Sequence, residues 1–214
     1  MIDPKTEIEI YLIRHAESHM NKNPHIVGGR SASTPLSQLG EDQSTALYKF
    51  FQKYGIEFDT VYCSPFLRTK STAEISLAGK GPVILVDDRL IEYSAGEFEG
   101  KIRSEVLTAK VVHQMAEMGI DYQPPGGESQ RQVMSRVNGW LEDIVLKNQE
   151  LLESGLTVRL ACYSHGLTIK CLLQMILGFD SHLIWRMRID NTGISKLIFN
   201  SRGWWPKYIN RVPY

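Results

Sequence analysis

Short apolar runs that alternate with stretches of helical periodicity restrict the fold of this chain more than any other feature. Residues 8–13, 60–63, 83–86 and 157–163 have the length and composition of buried strands. Ser37 stands as an N-cap before a helix that Leu47, Phe50, Phe51 and Tyr54 carry to a stop at Gly55. Ser64-Pro65 reads as an N-cap followed by proline in the first turn of a helix reaching residue 77. Further helices are expected over 104–118, over 128–153 with Val133, Val137, Leu141, Ile144 and Val145 on one face, and over 167–177. Residues 194–200 and 205–209 read as final strands, the first an antiparallel edge. This order predicts an α/β fold of three layers, a mostly parallel central sheet with helices on both faces and right-handed crossovers.

In such sheets ligands bind beyond the carboxyl ends of the strands, where the chain order switches direction. The first strand ends in Arg14-His15-Ala16-Glu17-Ser18 and the long fourth one in Ser164-His165-Gly166, so two imidazoles reach that edge. Arg68 follows the second strand near a helix start, a favourable place for an anion. Leu90-Ile91-Glu92 follows the third and adds a carboxylate. Arginine grips two oxygens at once, and phosphoryl transfer depends mainly on positioning and charge stabilisation. Taken alone, His15 could cap a carbonyl, His165 could be structural, and Arg68 or Glu92 could pair with a surface charge. Converging on one rim, they point to phosphate chemistry.

The duller properties are compatible with this. Lys+Arg and Asp+Glu balance at 24 each, so no basic surplus calls for a nucleic-acid partner. Cys63, Cys162 and Cys171 are odd in number and fit no metal spacing, which predicts buried free thiols in a reducing compartment. Met1-Ile2-Asp3-Pro4-Lys5 carries no apolar signal core and no segment is long enough to span a bilayer, so the expected location is the cytoplasm, with no membrane partner. A serine nucleophile turn is disfavoured because Cys162 occupies the first glycine position of Gly-x-Ser-x-Gly. A metal centre built from the two histidines and Glu92 is disfavoured because arginine already supplies the positive charge.

The ordered motifs resemble the histidine phosphatase superfamily, which includes cofactor-dependent phosphoglycerate mutases and many small phosphatases. The matching residues are Arg14-His15-Ala16-Glu17 with Asn21, Thr34-Pro35-Leu36-Ser37 with Gly40, Ser64-Pro65 with Arg68 and Thr72-Ala73, Glu92 with Gly96 and Glu99-Gly100, Pro125 to Ser129, and Ser164-His165-Gly166. The resemblance implies a phosphoglycerate mutase-like fold, a single domain over 1–214 and an insertion around 97–127 that covers the substrate. It implies no cofactor and no metal. His15 would be the nucleophile, becoming a phosphohistidine that water hydrolyses. Arg14, Arg68, His165 and Asn21 would hold the phosphoryl oxygens, with Gly166 permitting close approach. Glu92 would protonate the leaving oxygen and then activate water, a role that calls for a raised pKa.

Mutases of the resembled family carry an arginine directly after the acid and a basic pair in the following insertion. Here Tyr93 follows Glu92, and no adjacent arginine pair lies between Gly100 and Pro124. The segment Asp190-Asn191-Thr192-Gly193 also looks more like the phosphatase branch. Hydrolysis of a small phosphorylated metabolite is therefore expected. The alternatives are a phosphoglycerate mutase-type phosphotransferase and a non-catalytic protein that binds phospho-ligands. His19, Lys22, His25 and Arg30, and likewise Lys101 and Arg103, read as solvated charges that could also meet a second anionic group. Glu128 reads as a first-turn carboxylate of the long helix, and His113 and His182 as surface residues. Substrate specificity is expected to reside in 19–32 and 101–122.

Overall fold

The computed structural model describes residues 2–214. Its centre is one six-stranded sheet in the order β3-β2-β4-β1-β5-β6. The strands are β1 (Glu7–Arg14), β2 (Thr60–Cys63), β3 (Ile84–Val86), β4 (Thr157–Ser164), β5 (Ile194–Asn200) and β6 (Gly203–Arg211). The first four are mutually parallel where they pair, whereas β5 runs antiparallel to β1 and β6 antiparallel to β5. β5 is thus antiparallel as expected but internal, because β6 pairs along its other side and forms the edge.

Alternation along β1 assigns the two faces. Ile8, Ile10 and Leu12 join Val137, Trp140, Leu141, Ile169 and Leu173, the side covered by α5 (Gln130–Leu141) and α7 (Gly166–Leu177). Tyr11 and Ile13 join Leu47, Phe50, Phe51 and Ala73, the side covered by α1 (Gln38–Tyr54) and α2 (Leu67–Leu77). Cys63, Cys162 and Cys171 are free and buried within these layers. The chain leaves β1 toward one face and β4 toward the other, although the strands are neighbours. That divergence opens the crevice in which a ligand can sit.

Ser37 does cap α1, accepting from the Gly40 N–H, and Gly55 ends it in the left-handed conformation. Other boundaries differ from expectation. The N-cap of α2 is Phe66, two residues after the expected Ser64, whose hydroxyl accepts weakly from the Phe66 N–H and also meets His165. The helix expected over 104–118 is broken into α3 (Arg103–Val106) and α4 (Ala109–Met118), with Thr108 capping the second piece through the Val111 N–H. The long helix expected over 128–153 is α5, capped by Ser129, followed by a π-helical turn at Glu142–Leu146 and a separate α6 (Gln149–Leu152). Asn148 starts α6 by accepting from the Leu151 N–H, a local capping bond that competes with helix continuation. α8 (Leu183–Arg186) completes the set. No helix among the described residues is long and apolar enough to cross a membrane.

Candidate active site

The register of β1 against β4 determines where the two histidines go. Arg14 pairs with Ser164, so His15 and His165 leave the sheet side by side. Their ring centroids are 5.2 Å apart, edge to face. His15 is 4% exposed and His165 is fully buried. The His15 Nδ1 lies 2.7 Å from the Ala16 carbonyl. A carbonyl only accepts, so Nδ1 carries the proton and Nε2 keeps its lone pair. Arg68 Nε donates to that Nε2 at 3.3 Å.

Each flanking group is anchored by backbone or by a neighbouring side chain. Arg68 donates to the Ser31 and Gly29 carbonyls at 2.8 and 3.2 Å, and its guanidinium lies 5.0 Å from the Phe66 ring centroid. Arg14 donates one terminal nitrogen to the Ile189 carbonyl at 2.7 Å. His165 Nε2 is 2.8 Å from Ser64 Oγ, and Phe66 packs against its ring. Glu92 accepts from the N–H groups of Tyr93, Leu167 and Thr168 and from the Thr168 hydroxyl, which holds the carboxylate against the start of α7. Asn21 Oδ1 accepts from the Ser18 N–H and hydroxyl. Five buried polar atoms among the described residues have no protein partner, and two of them, Arg14 Nε and His165 Nδ1, lie at this site. A Cβ on Gly166 would lie 3.5 Å from that Arg14 Nε, so the glycine leaves the guanidinium uncovered.

Burial is the largest influence on the electrostatics. It pushes the His15 pKa well below the usual 6.5, and the Arg14 and Arg68 charges push it further the same way. His165 is lowered well below 6.5 by burial first, then by Arg68, His15 and Arg14. Both rings are neutral at physiological pH. Desolvation also brings the Arg68 guanidinium down to about 10, still charged near neutrality. A cationic pair, Arg68 buried and Arg14 partly buried, beside a neutral imidazole is arranged to receive an anion.

Above this floor opens a cavity of about 320 Å³ lined by Arg14, His15, Asn21, Arg68 and Glu92. His165 and Gly166 do not line it. They stand behind His15 and Arg14. From 19–32 and 101–122 the cavity takes Met20, Val27, Gly28, Gly29, Ser31, Arg103, Leu107, Met115 and Tyr122. Sequence reasoning missed Trp185 and Phe98 in the wall and Phe66 beneath Arg68. It also missed two struts: Thr72 Oγ1 accepts from the Ala16 N–H, and Asn191 Nδ2 donates to the His15 carbonyl. Thr72 and Asn191 belong to motifs quoted above, so the signal was present without the role.

Several charged residues stand differently from expectation. Arg30 is not a solvated loop charge: it pairs with Glu128 at 2.9 Å and donates to the Glu92 carbonyl. Glu128 precedes the cap of α5 and ties Arg30, Arg136 and the Ser94 N–H together. Arg103 donates to the Pro24 carbonyl. His113 and His182, in contrast, are exposed as expected, and His113 pairs with Glu117. No three His, Cys, Asp or Glu side chains cluster as metal ligands among the described residues.

The sequence profile of the histidine phosphatase superfamily (branch 1) matches residues 10–212. The chain belongs to this superfamily. A relative from Shigella boydii serotype 18, "Probable phosphoglycerate mutase GpmB", is 30% identical over 203 residues, covering 92% of this chain and 87% of the relative. Among solved structures, the alpha-ribazole phosphatase from Shigella flexneri superposes with a TM-score of 0.79 at 21% identity, covering 95% of this chain and 96% of the other. Phosphoserine phosphatase from Entamoeba histolytica, in complex with 3-phosphoglyceric acid, gives 0.80 at 21% identity, covering 95% and 97%. Those two likenesses establish a shared histidine phosphatase fold, and the phosphoglycerate mutase from Bacillus anthracis shares it too, with a TM-score of 0.78.

Proposed function

We propose that this histidine phosphatase superfamily member is a metal-independent phosphomonoesterase that hydrolyses a small phosphorylated metabolite through a phosphohistidine on His15. The observation that supports this most is the neutral His15 ring, whose Nε2 lone pair faces Arg68 Nε at 3.3 Å on the cavity floor. A nucleophilic imidazole must be unprotonated, and burial beside two guanidinium groups keeps it so.

The reaction runs in two displacements. The Nε2 lone pair of His15 forms an N–P bond as the ester P–O bond breaks, and the departing oxygen takes a proton from Glu92. Arg14 and Arg68 bind the equatorial oxygens as charge builds on them, Asn21 contributes a hydrogen bond, and His165, packed behind His15, positions that ring. Water then attacks phosphorus, giving its proton to the Glu92 carboxylate. The N–P bond breaks, inorganic phosphate leaves, and the electron pair returns to Nε2. Glu92 is the one carboxylic acid among the described residues that line the cavity.

The mutase reading is favoured by the name of the Shigella boydii relative. Against it, Tyr93 stands directly after Glu92 where a mutase would carry arginine, and the cavity wall above the floor contributes one cation, Arg103. The product decides. Free phosphate from a monoester supports hydrolysis, and transfer to phosphoglycerate supports the mutase. Saturable phosphate binding without turnover supports the non-catalytic reading. His15→Ala should cut phosphate release by on the order of 10³-fold or more with the fold retained. A chelator should leave the wild-type rate unchanged. A mass shift on the peptide containing His15, trapped at alkaline pH during turnover, marks the intermediate. Full activity in His15→Ala overturns the assignment.

A further inference from the structure

We infer that the alcohol part of the substrate is apolar and ring-bearing, not a second anionic group such as a carboxylate. This deepens the phosphatase reading and rests on it for the position of the phosphoryl group. Once Arg14 and Arg68 hold the phosphate, the remainder of the ester must occupy the rest of the 320 Å³ cavity. That part is walled by Phe98, Leu107, Met115, Tyr122, Leu167 and Trp185. Aromatic rings from three separate segments give flat faces on which a planar group can stack.

Apart from Arg103, the cations that could have recognised a carboxylate are placed elsewhere. Arg30 is neutralised by Glu128 and tied to the Glu92 carbonyl. Lys22, His25 and Lys101 do not line the cavity. Arg103 remains, exposed at the rim and donating to the Pro24 carbonyl.

The cover of the cavity has an unsatisfied apolar side. α4 is an amphipathic helix with no buried residue, and its Met115 borders the cavity. Trp185 is 51% exposed and borders it from α8. Apolar surface left open around a polar floor marks a binding site. A ring in the cavity would cover Met115, Leu107 and Trp185 together and remove that surface from water.

The test uses three primary alkyl esters, whose similar leaving groups isolate the effect of the wall: 2-phenylethyl phosphate, glycerol phosphate and phosphoserine. We expect kcat/KM for the phenylethyl ester to exceed the other two by about tenfold or more. Trp185→Ala should shrink that preference about fivefold, and because Trp185 is half exposed the variant should keep its circular dichroism. Titration calorimetry of the same esters into His15→Ala protein gives the order of Kd without turnover. The phenylethyl ester binding tightest supports the inference even if no ester is hydrolysed, in which case the phosphatase reading alone falls. Phosphoserine equal to or better than the phenylethyl ester, in kcat/KM or in Kd, overturns the inference and leaves hydrolysis standing.

Discussion

At the scale of single residues the site is a compromise between charge and burial. His15 is kept neutral by desolvation, with Arg14 and Arg68 acting in the same direction. Its ring should therefore show no titration as pH falls from 7.5 through 6.5. Imidazole chemical shifts should record an unprotonated ring with the proton on Nδ1, and a midpoint near 6.5 would contradict the geometry. Arg68→Gln removes one guanidinium and the donor to Nε2. We expect kcat to fall by about 10²–10³-fold, as for loss of one donor to a developing charge. The same change should move the His15 pKa upward, though still below 6.5, because burial remains. Arg14, His15, Arg68, Glu92 and His165 could be found from the sequence because each sits at or just beyond the end of a recognisable strand. Trp185, Phe98 and Phe66 could not. They come from loops or very short helices with no periodicity, and only the tertiary fold turns them toward the site.

At the scale of elements, the loop after β1 is held by the start of α1. Ser37 Oγ accepts from the Gly40 N–H and donates to Glu17 Oε1 at 2.7 Å, so one hydroxyl serves the helix and the loop together. A Cβ on Gly40 would stand 2.0 Å from the Glu17 carbonyl oxygen, a backbone atom that cannot step aside. Gly40→Ala should thus cost about 1–3 kcal/mol of stability and also slow turnover, because the push passes to Ser18 and Asn21 at the cavity. Ser37→Ala should cost about 1 kcal/mol, or roughly 2–4 °C in Tm for a chain of this size. Calorimetric scans alongside phosphate-release rates check both, and unchanged activity in Gly40→Ala would show that the loop moves independently of the site. The α1 boundaries were legible because cap and stop are both local signals. The break at Thr108 and the π-helical turn after Leu141 were not. Apolar periodicity continues through each: an internal cap at Thr108 interrupts the first, and in the second Ile144 and Val145 still join the core across the irregular turn.

At the scale of the whole molecule, strand order was only partly legible. Apolar runs identify strands but not neighbours, and β6 covers the side on which β5 was expected to lie open. What the assembled sheet adds is a specific acid sensitivity. His15 and His165 are buried and neutral, their folded pKa values well below 6.5. In the unfolded chain both take up protons near 6.5. Below that pH the unfolded state binds more protons than the native one, so stability must fall as pH falls. Each histidine contributes a slope of about 1.4 kcal/mol per pH unit until the native ring itself protonates. Glu9 adds a second, lower window. Burial alone would raise its pKa, but hydrogen bonds from Lys196 and Arg159 outweigh it and hold the carboxylate below its usual 4.5. That contribution is complete above 4.5 and is lost as pH drops through the folded value. The urea midpoint of the native protein should therefore decline between pH 7 and pH 5 and decline further below 4.5. His15→Ala and His165→Asn should each flatten the upper part of the curve by about half and leave the Glu9 part in place. A urea midpoint that is level from pH 7 to pH 5 in the native protein would mean that the paired imidazoles are not held neutral, and the nucleophile would lose its physical basis.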